Sequence, residues 1–142
     1  MADIVRLLQL DHHLVRSQFG DLYRARATAG PDELDAAWRP LASLLHSHLH
    51  GTRLLLADRH VDVDERRRQR LTASAHHVVG GVDDVEREGR GTEAWWAAVA
   101  ELRRRFTEVL VTSEEWLVDF LRAALDDGQR DELGQLWLEQ RR

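Results

Sequence analysis

Four short breaks, and almost nothing else that would stop a helix, limit how this chain can fold. Gly30-Pro31, the stretch Arg59–Asp64, Gly89–Gly91 and Asp126-Asp127-Gly128 interrupt a sequence of 142 residues that holds only two prolines. Between the breaks Leu, Ala, Glu and Arg dominate, all good helix formers. Pro31 suits the first position of a helix, where its fixed φ fits and its missing N–H would have had no partner anyway. The spacing predicts helices over about 3–28, 32–57, 64–88 and 92–125, with a short one near 130–140. Helices of this length joined by short loops pack as an antiparallel four-helix bundle, so the expectation is an all-α single domain over 1–142, its core within 1–125. Pro40 should either kink the second helix or mark its true start.

Composition removes whole classes of chemistry. Without cysteine there is no thiolate metal site, nucleophilic thiol or disulfide, and any metal must be held by nitrogen and oxygen. Without lysine there is no Schiff base. A net charge of −5, with acids and bases interleaved, argues against nucleic acid or an anionic membrane as partner. No apolar run approaches the ~20 residues of a membrane span, and MADIVRLLQLDHH lacks the pattern of a signal peptide. A soluble, cytoplasmic protein is the expectation.

Residues three and four apart share a helix face. In the first helix Leu8, His12, Val15, Phe19 and Leu22 form one stripe; in the second, Leu41, Leu45, His48, Thr52 and Leu55 form another. His12 and His48 therefore point inward, while His46 and His50 lie together on a different face and His13 turns away. In the third helix Leu71, Ala75, Val78, Val82 and Val85 set the stripe, with His76 and His77 on its shoulders. In the fourth, Trp95, Val99, Leu102, Phe106, Leu110, Ser113 and Leu117 set it, leaving Glu114 about 80° from its centre at 100° per residue. The five tryptophans suit packing between helices, or the lining of an apolar pocket with Tyr23. Gly80-Gly81 weakens its helix, which points to a close helix approach, a local distortion or room for a ligand.

With these histidines placed, the chain resembles the hemerythrin-like, or HHE cation-binding, domain over about its first 125 residues. LLQLDHHLVRSQF resembles the family's opening signature and makes His12 the matching ligand. HLHGT resembles its second-helix His-x-x-x-Glu, with His48 matched and Thr52 standing where the glutamate belongs. The resemblance implies a four-helix bundle around a non-haem di-iron centre used in dioxygen, nitric oxide, iron or peroxide chemistry. Here the generous alignment keeps His12, His48, His76 and Glu114, with Thr72 and Leu110 at two other ligand positions; the strict one keeps two histidines.

The ligands that remain suit at most one metal. His12, His48 and Glu114 supply two imidazoles and a carboxylate, the set of many non-haem iron(II) enzymes. His76 as a fourth would make a site that zinc could also fill. The expected cofactor is thus one iron or zinc ion, or none, and the expected partner a small molecule or dioxygen-type ligand. Two alternatives stand beside this. One is a metal-independent enzyme of cyclase, isomerase or dehydratase type, with His12 and His48 as catalytic acid and base; the other is a non-catalytic protein-interaction module. In the absence of metal, the two histidines are expected to bond to each other, to Thr52 or to Ser113, since a buried ring needs partners.

Overall fold

The computed structural model describes residues 2–141. They form α1 (Ile4–Ala25), α2 (Pro31–Ala57), α3 (Glu65–Arg87), α4 (Glu93–Val109), a π-helical turn (Leu110–Glu114), α5 (Glu115–Ala124) and α6 (Asp127–Glu139). Among the described residues there is no strand, and the helices pack as a bundle. α1 lies against α2, α5 and α6, α3 lies against α4, and α2 touches both α3 and α6.

Most starts are fixed by side chains that satisfy the first free N–H groups. Asp3 accepts from Val5 N at 2.8 Å, Asp64 from Arg67 N at 2.9 Å, and Thr92 from Trp95 N at 3.1 Å. At α6 the bonding is reciprocal: Asp126 accepts from Gln129 N at 2.8 Å while Gln129 accepts from Asp126 N at 3.0 Å. This box starts α6 a turn earlier than expected. α2 starts at Pro31 and continues unbroken past Pro40, which therefore marks no boundary. Pro40 is exposed, so the carbonyl it leaves without a helical donor faces water.

The fourth predicted helix departs furthest from expectation. It is a single rod only up to Val109, after which one π turn widens the spiral before α5 resumes.

Two apolar clusters fill the bundle. One joins Val15, Phe19 and Leu22 to Trp38, Leu45, Val82, Trp95 and Phe106. The other joins Ile4 and Leu8 to Leu55, Leu71, Leu117, Leu121 and Trp137. Trp38, Trp95 and Trp96 stack edge to face in the first, with Trp38 Nε1 donating to Glu86 at 3.0 Å, so these rings pack helices together. Gly81 provides the close approach of α3 to α4: a Cβ there would meet Leu102 Cδ1 at 3.0 Å. α3 stays regular through Gly80-Gly81, without distortion.

The clusters are separated along α1, α2 and the segment that follows α4 by buried polar residues. Asp11 and His12 fall between Leu8 and Val15, His48 and Thr52 between Leu45 and Leu55, and Ser113 and Glu114 between Leu110 and Leu117. The core therefore has a polar layer across its middle.

Candidate metal centre

Helical phase delivers His48 to this layer without adjustment: it sits on the buried stripe of α2 and is 0% exposed. Glu114 needs the π turn. A regular helix would leave it on the shoulder, but the turn takes up one extra residue, which rotates everything after it by about 100°. Beyond the turn the buried positions become Glu114, Leu117, Val118 and Leu121, and Glu114 is 2% exposed.

His48 lies between two carboxylates. Its Nδ1 is 2.9 Å from Asp11 Oδ2 and its Nε2 is 3.0 Å from Glu114 Oε1. Burial opposes a charged ring, but the Glu114 carboxylate and the hydrogen bonds to Asp11 and Glu114 outweigh it, and the His48 pKa is pushed up to about 9. Glu114 shows the converse: burial favours its neutral form, yet the His48 charge holds it well below the usual carboxylate range. Asp11 is also lowered, against its burial, by hydrogen bonds from Arg141 and His48. Arg141 grips Asp11 with both terminal nitrogens, one of them 2.9 Å from Oδ1, and its guanidinium lies 4.9 Å from the centre of the Trp137 ring. Trp137 in turn meets the His48 ring edge-on at 5.5 Å.

His12 completes the group on its other side. Its Nε2 is 3.5 Å from Glu114 Oε2, and neither atom has a hydrogen-bond partner although both are buried. Among the described residues, His12, His48 and Glu114 form the group whose ligand atoms lie within 4.8 Å of one another. A tetrahedral ion with bonds of ~2.1 Å sets its donors about 3.4 Å apart, so closing on one asks for shifts of about an ångström. The chemistry of the donors and the two orphaned atoms both fit a divalent ion. His12 also borders a surface pocket of about 430 Å³ between α1 and α5, with Gln9, Arg16, Leu110 and Asp119 among its walls.

His76 does not join them. The buried face of α3 carries Leu71, Val78, Val82 and Val85, and His76 lies off that stripe, exposed, in a groove with His46 and His50. The expected four-ligand set is therefore not assembled in this arrangement. The expected metal-free bonding of the core histidines differs as well. Their ring centres are 5.2 Å apart and do not bond to each other, Thr52 Oγ1 donates to the His48 carbonyl at 2.9 Å, and Ser113 lies 3.4 Å from Ser74. The partners of His48 are carboxylates, which hold a charged ring better than hydroxyls do.

Sequence reasoning passed over Asp11 and Arg141. Asp11 had a signal: it stands three residues after Leu8 and four before Val15, within the apolar stripe, where a carboxylate must have partners. Arg141 had none, since its role depends on how α6 docks. Compared with known proteins, the chain matches no family model, no curated protein and no solved structure.

Proposed function

We propose that this chain is a divergent hemerythrin-like protein that holds one non-haem metal ion, iron or zinc, at His12, His48 and Glu114, for binding, sensing or redox chemistry. The observation that carries this reading is the pair of buried, unbonded atoms, His12 Nε2 and Glu114 Oε2, facing each other at 3.5 Å. Leaving both without a hydrogen bond costs a few kcal/mol, which a shared ion would recover. Donors from α1, α2 and the segment after α4 agree with the resemblance seen in LLQLDHHLVRSQF and HLHGT.

The surrounding residues prepare the donors. Asp11 accepts a hydrogen bond from the Nδ1–H of His48, which orients the ring and leaves Nε2 as the metal-binding nitrogen, the usual carboxylate–histidine arrangement behind a metal. Arg141 neutralises Asp11, so the charge presented to the ion is that of Glu114. Iron in such a set would supply open positions for a dioxygen-type ligand; zinc would supply Lewis acidity. His12 lies on the pocket side, where a small molecule arrives.

A second reading, acid–base chemistry by His12 and His48 without metal, is favoured by one observation: both His48 nitrogens already have carboxylate partners. Metal content separates the two. After anaerobic incubation with iron(II) and desalting, mass spectrometry should find one ion that is absent from Glu114→Gln and His12→Ala but retained by His13→Ala. No ion dependent on Glu114 would sink the metal reading and leave the acid–base one.

A further inference from the structure

His46, His50 and His76 have no part in the core group, yet the fold brings them to one place. They line a groove of about 250 Å³ between α2 and α3. His46 and His50 are one helical turn apart, so their side chains leave α2 side by side, and His76 enters from α3 opposite. We propose that these three histidines form a second metal site, on the surface, that takes one borderline divalent transition ion such as zinc and ties α2 to α3.

Three features support it. All three rings are exposed, and the histidine hydrogen bonds and ion pairs among the described residues involve His12, His48 and His60 instead. The imidazoles of the groove can therefore turn about χ1 and χ2 to converge, without breaking an existing bond. The walls of the groove contain no carboxylate, and Arg53 is their only formal charge apart from the histidines. A site of imidazoles without carboxylates selects zinc, nickel or copper and rejects calcium and magnesium, which need oxygen. Three imidazoles with water in the fourth position make a complete tetrahedral zinc shell. The groove floor is apolar, with Leu49, Leu56 and Leu71, so the ion would be partly shielded from water.

The test is zinc binding by equilibrium dialysis on the full chain, with His46→Ala, His76→Ala and Glu114→Gln compared with the unsubstituted protein. His46→Ala and His76→Ala should each weaken one zinc site by about tenfold or more, and the double substitution should be little worse than either single one. Glu114→Gln should keep this site whether or not the core binds metal, so failure at the core and failure at the groove read out separately. His46 and His76 are exposed, and circular dichroism confirms that each variant, Glu114→Gln included, is folded. Unchanged zinc binding in His76→Ala would overturn the proposal, because any site left would belong to α2 alone; so would zinc binding that responds to neither His46→Ala nor His76→Ala.

Discussion

The raised pKa of His48 makes the metal-free protein lose stability as the solution turns alkaline. The ring is protonated in the folded chain up to about pH 9, whereas an unfolded histidine loses its proton near 6.5. Between those values the folded state binds more protons than the unfolded one, so stability falls with rising pH. The full contribution is present below pH 6.5 and is gone above about 9. A shift from 6.5 to about 9 corresponds to about 3 kcal/mol at 1.36 kcal/mol per unit, and the ring is fully buried, so solvent screening takes little from it. No cysteine thiol titrates within this window, because the chain has none. Urea unfolding followed by circular dichroism, with chelator present, at half-unit steps from pH 6 to 9.5, measures the slope directly. Urea is preferred to guanidinium because it does not screen the charges. The decline should shrink in Glu114→Gln, which keeps the shape of the side chain and removes the charge that raises the ring most. Stability that stays flat or rises between pH 6.5 and 9 would refute the account, since it would mean that His48 is buried neutral.

Arg141→Met should destabilise the protein by about 2 kcal/mol, less than the loss of a fully buried partner because the arginine is itself about a quarter exposed; urea midpoints at pH 7 measure it. Gly51→Ala should cost about 1–3 kcal/mol, because its Cβ would sit 2.6 Å from the Trp137 ring and push α6 outward. Gly80→Ala, whose nearest neighbour is Arg105 Nη1 at 3.6 Å, should stabilise by about 0.5–1 kcal/mol through helix propensity alone, and thermal melts of the two variants should move in opposite directions. Deleting Val111, which is 58% exposed, should convert the π turn to regular helix while Glu114 stays inside, because the stripe Phe106–Leu110–Glu114–Val118 then falls into a plain helical phase. A deletion variant that fails to fold would show that the π turn is needed for more than register.

The helices were legible because their punctuation is local: Pro31, Asp64, Thr92 and Asp126 act on N–H groups within a few residues of themselves. His12 and His48 were legible for the same reason, as members of regular stripes. Glu114 was visible as a donor but misplaced in angle, since a π turn leaves no mark on a count of 100° per residue. His76 was drawn toward the core by alignment with the family's third helix, against an apolar stripe that set it outside. Arg141 belongs to a different class: its contact with Asp11 spans 130 residues of sequence. No periodicity within one helix can report a pairing made by the docking of another.

That long reach has a consequence for how the chain matures. During synthesis α1 and α2 are complete while Asp11 still lacks its guanidinium, and a bundle assembled then would bury a carboxylate with His48 as its sole cation. Such an intermediate should be loose around the polar layer and should exchange its amide protons there readily. Docking of α6 brings Trp137 against His48 and Arg141 onto Asp11 in one step. α6 thus acts as a latch: the layer acquires its final charge balance only when that helix has docked.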